Sequence, residues 1–395
     1  MSRWHHLSND IRQYLIITAN YWVFTLSDGA LRMLVVLYFY GLGYDPLTIA
    51  TLFLFYEAFG IVTNLFGGWL GAALGLNRTM HIGTGLQLFA LGLLLLPSHF
   101  LSIPLVMASQ GLSGIAKDLN KMSAKSAIKR LVAEDQQNTL FRWVALLTGS
   151  KNALKGLGFF LGGALLSSLG FHKAIVCFCI ALGAMWSVSL FSVQANLGRT
   201  KRTPKFHEMF SMSRAVNTLS AARLFLFASR DLWFVVALPV WLSSEYGWDF
   251  WRVGGVMAGW VIGYGMIQAI TPRFVDARAS RAAVSRWGIA LTTMPLILAV
   301  LFFYGGLTAP LLVLLLAGYA TLFAINSSLH SYLIVAEAKY DGASLDVGFY
   351  YMSNALGRLI GTLLSGAIYQ WAGLGWCLMV SAVAVAISSL IARRL

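Results

Sequence analysis

The chain has few charged residues. Asp, Glu, Lys and Arg make up 11% of its 395 residues, whereas hydrophobic types make up 58%. A soluble domain carries about 25% charged residues, which cover its surface. The shortage therefore excludes an ordinary water-soluble protein and predicts a polytopic membrane protein.

Cysteine is also scarce. Cys177, Cys179 and Cys377 all lie inside apolar stretches, and the first two point to different faces of a helix. The sequence therefore supports neither a disulfide framework nor a zinc site. The sequence contains no nucleophile and base at catalytic spacing and no metal-ligand cluster. We predict that the protein is not an enzyme and binds no cofactor or metal ion.

Acidic residues are the third shortage, with 15 Asp and Glu against 29 Lys and Arg. Such a basic balance is found in nucleic-acid-binding proteins. Here, however, the basic residues fall mostly in short loops between apolar runs, as in a membrane topology signal. We therefore predict no nucleic-acid partner.

Apolar runs of about 20 residues, the length that crosses a bilayer as a helix, occur twelve times. We number these spans one to twelve. They are residues 13–40, 46–72, 80–96, 103–128, 141–169, 174–193, 217–243, 251–275, 284–304, 310–338, 348–372 and 374–392. The polar segment before span one is short, and span one is too long for a signal-peptide core, so we expect it to be uncleaved.

The distribution of Lys and Arg predicts the orientation. The loops after odd-numbered spans carry few basic residues beyond Lys173 and Arg252. By the positive-inside rule, both termini are therefore expected in the cytoplasm. The basic residues at the termini and in the loops after even-numbered spans are Arg3, Arg12, Arg78, Lys125, Lys129, Arg130, Arg199, Lys201, Arg202, Lys205, Arg278, Arg281, Lys339, Arg393 and Arg394.

The two halves of the chain resemble each other. A basic linker, residues 194–214, separates six spans (residues 1–193) from six more (residues 215–395). The segment that begins at Asp28 aligns with the one that begins at Asp231, and Asn64 then aligns with Gln268. Such internal similarity is typical of transporters with a midplane site between two halves. We predict an all-α membrane protein with twelve transmembrane helices in two pseudo-symmetric six-helix bundles.

Two short motifs resemble those of the major facilitator superfamily and imply its fold. Gly68-Trp-Leu-Gly71-Ala-Ala-Leu-Gly75-Leu-Asn-Arg78 resembles the signature after span two, although Ala72 and Ala73 replace its usual Asp and Arg. Gly158-Phe-Phe-Leu-Gly162-Gly163 resembles the glycine-rich motif of exporters, with Phe159 where proline is common. An alternative for these glycines is close helix packing by small residues.

Positive charge predominates deep in the spans. A charge at bilayer depth costs about 2.5–3.5 kcal/mol on insertion scales, so these side chains must face protein or water. Seven cations against four acids leave three positive charges, and an uncompensated buried charge is costly. We expect an anionic substrate to balance them. The cations are Arg32, Lys117, Lys151, Lys155, Arg223, Arg230 and Arg358, and the acids are Asp28, Glu57, Asp118 and Asp231.

We predict that a cationic cavity binds the substrate and alternates between the two membrane sides. Arginine forks suit phosphate-like oxygens, and lysines act as point charges. The predicted binding residues are Arg32, Lys151, Lys155, Arg223, Arg230, Arg358, Lys117, Lys121 and Asn20. Lys151 and Lys155 are one helical turn apart and repel each other, so an anion is expected between them.

Two further groups leave alternatives open. Asp28, Glu57 and Asp231 could couple protons or balance charge, or the two aspartates could simply neutralise Arg32 and a cation of another span. Lys117 and Lys121 belong to a lysine stripe on span four and are either steps of an anion path or, like Lys125 and Lys129, contacts of lipid phosphates.

Four stretches of the chain that contain most of these charged residues resemble the ArsJ family of organoarsenical efflux permeases. The likeness extends over nearly the whole chain. The stretches are Asn20-Tyr-Trp-Val-Phe-Thr-Leu-Ser-Asp28-Gly-Ala-Leu-Arg32-Met-Leu, Leu112-Ser-Gly-Ile-Ala-Lys117-Asp-Leu-Asn-Lys121-Met-Ser-Ala-Lys125, Thr148-Gly-Ser-Lys151-Asn-Ala-Leu-Lys155-Gly and Ser220-Ala-Ala-Arg223-Leu-Phe-Leu-Phe-Ala-Ser-Arg230-Asp-Leu-Trp-Phe.

The resemblance implies export of 1-arseno-3-phosphoglycerate across a bacterial inner membrane, and hence arsenate resistance. A glyceraldehyde-phosphate dehydrogenase is the implied functional partner, because it makes this ester when arsenate replaces phosphate. The family supplies no residue assignments. We expect a monomer in membrane lipid. The alternatives are an organophosphate/phosphate exchanger or another organic-anion transporter, and a membrane enzyme acting on phosphorylated lipid, against which the two-half topology argues.

Overall fold

The computed structural model describes residues 9–44, 52–193, 197–200, 213–248 and 250–395. Within these ranges the chain is helical and forms no strand. Most of the predicted linker lies outside them. The helices are α1 (Asn9–Gly41), α2 (Leu54–Leu74), α3 (Leu76–Leu93), α4 (Ile103–Leu131), α5 (Gln137–Leu169), α6 (Phe171–Ser192), α7 (Arg214–Phe234), α8 (Ala237–Tyr246), α9 (Phe250–Ile270), α10 (Ser280–Phe303), α11 (Ala309–Glu337) and α12 (Ala343–Ala392).

These helices confirm the twelve predicted spans. Helices α1 to α6 are spans one to six, α7 with α8 forms span seven, and α9 to α11 are spans eight to ten. Helix α12 contains spans eleven and twelve, separated at Gly373, where φ is 78° and ψ is −178°. A positive φ is easily adopted only by glycine. The break falls between the predicted span ends at residues 372 and 374.

Span seven differs from the prediction of one continuous helix over residues 217–243. It is interrupted between α7, which ends at Phe234, and α8, which begins at Ala237. Pro239 lies in the first turn of α8 and has no backbone N–H, so it cannot donate to the carbonyl of Val235. A hydropathy pattern records length but not this missing donor.

Seven helical segments of the described chain are long and apolar enough to cross a membrane by composition alone. Among the other helices, α4 is more polar and buries Asp118, Lys121 and Lys125 inside the protein. The polar side chains of α4 are therefore separated from lipid by other segments of the protein.

The chain divides into two compact units. Unit one comprises Met1–Leu140, Leu154–Ser211 and Ala338–Met352, and unit two comprises Phe141–Ala153, Met212–Glu337 and Ser353–Leu395. Each unit holds most of one predicted half and a short segment of the other. The domain boundaries at residues 193 and 215 stay a prediction.

Paired glycines allow helices to meet at backbone distance in each unit. In unit one, a Cβ at Gly158 of α5 would lie 2.6 Å from the carbonyl oxygen of Leu26 on α1. In unit two, a Cβ at Gly361 of α12 would lie 2.5 Å from the carbonyl oxygen of Ala228 on α7. The span-five glycines thus serve close packing, the alternative considered from the sequence. Spans one and five pack in the same manner as spans seven and eleven.

Candidate functional site

Unit one contains a cluster of charged side chains around the ring of Tyr56, here called the Tyr56 cluster. The Tyr56 hydroxyl donates to both carboxylate oxygens of Asp28, at 2.8 and 2.9 Å. The Arg32 guanidinium carbon lies 4.5 Å from the ring centroid, and Lys117 Nζ lies 3.8 Å from it. Helices α1, α2 and α4 therefore bring one acid and two cations to a single aromatic ring, where cation–π attraction holds the cations.

A second group in unit one joins α4 to the start of α12. Lys121 Nζ lies 2.6 Å from Asp118 Oδ1 and 4.7 Å from the ring centroid of Tyr351. Lys125 donates to the Tyr351 hydroxyl and is only 2% exposed. The expectation that Lys125 contacts lipid phosphates is therefore corrected, because its ammonium is buried against protein.

Other predicted binding residues of the chain occupy different surroundings. Asn20 is fully buried, and its amide donates to Asn120 Oδ1 at 3.4 Å. Lys151 and Lys155 are both half-buried on α5. A Cβ at Gly29 would lie 2.7 Å from the Lys155 carbonyl oxygen, so Lys155 sits where α5 crosses α1. The side chain of Glu57 lies outside the described residues.

Unit two contains an arginine cluster built on one acid, here called the Asp231 cluster. Asp231 is fully buried. Its Oδ1 accepts a hydrogen bond of 2.6 Å from Arg230 Nε, and its Oδ2 accepts one of 3.1 Å from Arg358 Nε. The side chains of Arg230 and Arg358 are 13% and 35% exposed. Asp231 is thus paired with a cation of another span, as one sequence alternative proposed, and with its own neighbour as well.

Arg223, about two turns before Arg230 on α7, completes this cluster. Its Nε donates to Asn354 Oδ1 at 2.9 Å, and its Nη1 donates to Ser327 Oγ at 3.0 Å. The guanidinium carbons of Arg223 and Arg230 lie 3.9 and 4.7 Å from the ring centroid of Phe227. The cluster therefore contains three arginines and one aspartate, and two of the arginines lie on the Phe227 ring.

A neutral hydrogen-bond network fixes the buried end of the Asp231 cluster. Tyr264 donates to Ser327 Oγ at 3.0 Å, and Gln268 Nε2 donates to the same atom at 3.1 Å. Asn152 Nδ2 in turn donates to Gln268 Oε1 at 2.6 Å. Connected networks of this kind hold their members in one arrangement, so Arg223 is pre-positioned.

The sequence matches the family model of the Major Facilitator Superfamily over residues 17–345. The chain belongs to the major facilitator superfamily. Members of this superfamily are transporters, and the coarse functional class predicted from the sequence, a membrane transporter, is confirmed.

Solved structures support the same fold for this superfamily member. The human organic anion transporter TETRAN has a TM-score of 0.79 and 16% identity, covering 98% of this chain and 100% of its own. The E. coli fucose:proton symporter FucP has a TM-score of 0.78 and 11% identity, covering 98% and 99%. A bacterial homologue of the iron transporter ferroportin, in an outward-facing state, has a TM-score of 0.76 and 16% identity, covering 98% and 99%. No curated protein sequence matches significantly. These identities show the fold and do not identify a substrate.

The transporter's predicted cations separate into groups. Arg32 and Lys117 meet Asp28 in the Tyr56 cluster, and Arg223, Arg230 and Arg358 meet in the Asp231 cluster. Lys121 instead pairs with Asp118. The binding roles of all these residues stay predictions.

Sequence reasoning missed several residues of the clusters, among them Tyr56 and Asn354. An aromatic residue in an apolar helix is ordinary, so nothing in the sequence distinguished Tyr56. Asn354 did leave a signal. It stands three residues before Gly357 of span eleven, as Lys155 stands three residues before Gly158 of span five, and each glycine is followed by another four residues later.

The described residues contain no group of three or more His, Cys, Asp or Glu side chains that could hold a metal ion. The polar chemistry of the described clusters consists of guanidinium and ammonium groups, two carboxylates, hydroxyls and amides. Guanidinium and ammonium groups are chemically suited to hydrogen-bond an oxyanion.

Proposed function

We propose that this superfamily member exports 1-arseno-3-phosphoglycerate and thereby confers arsenate resistance, as the resemblance to the ArsJ permeases implies. The observation that carries the proposal is the Asp231 cluster. Three arginines share it with a single buried carboxylate, at fixed positions on α7 and α12. Guanidinium forks of this kind suit tetrahedral oxyanions.

The Tyr56 cluster is a second group of cations that suits an oxyanion. It offers Arg32 and Lys117 on one aromatic ring, beside Asp28. The proposed substrate carries a carbonyl arsenate at one end and a phosphate at the other. Each cluster by itself carries cations that suit one tetrahedral oxyanion, and Lys151 and Lys155 add positive charge on α5.

The membrane potential is sufficient to drive this export. Each negative charge that leaves an inside-negative cell gains about 2.3 kcal/mol per 100 mV, so a trianion gains about 7 kcal/mol. A uniporter therefore suffices if the protein's own cations stay in place. The alternative role of Asp28, Glu57 and Asp231 is proton coupling. Transport that falls when the pH gradient is collapsed at fixed potential would support that alternative.

Arsenate tolerance of a sensitive bacterium tests the proposal. The chain is expressed with and without its glyceraldehyde-phosphate dehydrogenase partner, and growth is measured against arsenate concentration. We expect protection only when both are present, because the dehydrogenase makes the exported ester. Equal protection without the dehydrogenase, or none with it at equal membrane levels of the transporter, contradicts the proposal.

Exchange of an organophosphate against phosphate is the second candidate. The same clusters favour it, because arsenate and phosphate are both tetrahedral oxyanions that guanidinium groups bind alike. Counterflow separates the two functions. Vesicles loaded with unlabelled phosphate take up radiolabelled phosphate if the protein is an exchanger, and they do not if it is a dedicated exporter of the arsenical.

A further inference from the structure

A basic groove lies in unit two, where the first turns of α10 meet the last turn of α12, and it shares no residue with the Asp231 cluster. It encloses about 490 Å³. One part of its lining is basic and another part is apolar. The walls are Arg281, Arg286 and Arg393, and the apolar side is formed by Ala282, Ile289 and Ala392.

The floor of the groove is fixed by direct contact between the two helices. Ser285 Oγ donates to the backbone carbonyl of Ser389 at 3.1 Å. A Cβ at Gly288 would lie 3.1 Å from the Ser389 Cβ, so the helices are as close as glycine permits. These contacts therefore fix the spacing of the two helices that form the groove.

The groove carries excess positive charge. Arg281 forms an ion pair with Glu337, whose side chain is 18% exposed. Arg286 and Arg393 are exposed. Three arginine side chains against one glutamate side chain give an excess of positive charge, and the N-terminal end of α10 adds the positive end of a helix dipole. Phosphate groups would balance this charge.

The apolar side of the groove indicates what carries those phosphates. Ile289 is 44% exposed and lies two turns from Arg281 on the same face of α10. A soluble phosphate ester has no use for such a surface, whereas a phospholipid has acyl chains that continue from its headgroup. The Lys and Arg distribution predicts that this end of the helices faces the cytoplasm, where anionic lipids attract basic residues.

We propose that this groove binds an anionic phospholipid of the cytoplasmic leaflet. The headgroup phosphates lie among Arg281, Arg286 and Arg393, and an acyl chain runs along Ile289. Three arginine side chains suit a lipid with two phosphates, such as cardiolipin. The groove shares no residue with the Tyr56 cluster or the Asp231 cluster, and the proposal does not depend on which substrate the protein carries.

Lipid binding to the purified full-length protein in detergent tests the proposal. Fluorescent cardiolipin is titrated into wild type and into the double variant Arg286→Gln with Arg393→Gln. We expect about thirtyfold weaker binding, because each basic residue near a membrane surface contributes roughly a factor of five to anionic lipid affinity. The matched control, Arg214→Gln, removes an exposed arginine outside the groove that is predicted to lie at the cytoplasmic end of span seven, and its affinity should equal that of wild type.

Two further arms complete the test. The variant Arg286→Lys with Arg393→Lys keeps the charge and should bind within about threefold of wild type, which distinguishes lost charge from a folding defect. Unchanged cardiolipin affinity in the glutamine variant, or equal wild-type affinity for phosphatidylcholine, overturns the proposal. Displacement of cardiolipin by millimolar inorganic phosphate at constant ionic strength also overturns it, since the site would then be one for free phosphate.

Discussion

At the scale of single residues, the most informative arrangement is one carboxylate shared by two arginines. Asp231 is fully buried, and Arg230 and Arg358 both donate to it. The acid sets the direction of both guanidinium groups. It also lowers the repulsion between them, so the site can hold several cations without a ligand.

Replacing Asp231 by Asn should therefore destabilise the protein. Removing one partner of a buried charge group costs about 3–5 kcal/mol, because the remaining charges lose their counter-ion. Thermal unfolding in detergent measures the change, with Glu245→Gln, an exposed carboxylate of α8, as the matched control. An unfolding temperature of the Asn variant equal to that of the control would show that Asp231 does not hold the two arginines.

Two substitutions of Tyr56 separate the contribution of its hydroxyl group from that of its aromatic ring. Tyr56→Phe removes the hydroxyl that donates to Asp28 but keeps the ring beneath Arg32 and Lys117. We expect it to lose about 1.5–3 kcal/mol of stability, typical of a hydrogen bond to a charged group, with the substrate KM little changed.

Tyr56→Leu removes the ring as well, and KM should then rise about tenfold as the cations lose their platform. Uptake into inverted membrane vesicles measures KM for both variants. Equal KM values for the Phe and Leu variants would exclude a role for the ring in positioning the cations.

At the scale of helices, apolar length predicted the spans, and Gly373 marked the boundary between the last two. Hydropathy alone predicts a single segment over residues 217–243, because it is insensitive to the backbone donor that Pro239 lacks. The packing of α12 on α7 was also not predicted. A glycine pair in a membrane helix indicates close packing but does not name the partner helix, which only the structure supplies.

The close approach of α12 to α7 predicts a position-specific effect of adding one methyl group. Gly361→Ala places a Cβ 2.5 Å from the carbonyl oxygen of Ala228 and should destabilise the protein by about 1–3 kcal/mol. Gly366→Ala, on the same helix, meets no atom within 4 Å and should be neutral or slightly stabilising. Thermal unfolding of the two variants compares them directly, and equal unfolding temperatures would contradict the packing.

At the scale of the whole molecule, positive charge exceeds negative charge where the chain crosses the membrane. The sequence predicted this excess and named the arginines of the Asp231 cluster, because a charge in an apolar span is conspicuous. It did not predict the neutral groups that hold them, such as Asn354 and Ser327, since neutral polar residues are common in membrane helices. Burial and hydrogen-bond partners, which depend on the fold, identify those residues.

Uptake of the arsenical into inverted membrane vesicles, which corresponds to export from the cell, tests the central claim most directly. The vesicles are supplied outside with glyceraldehyde-phosphate dehydrogenase, its substrates and arsenate, and arsenate and 3-phosphoglycerate are measured in the lumen. We predict that wild-type vesicles accumulate the two in equal amounts and only while the dehydrogenase is active. We also predict that Arg230→Ala, inserted at the same level, accumulates neither. Unchanged accumulation by the Arg230→Ala vesicles would contradict the account.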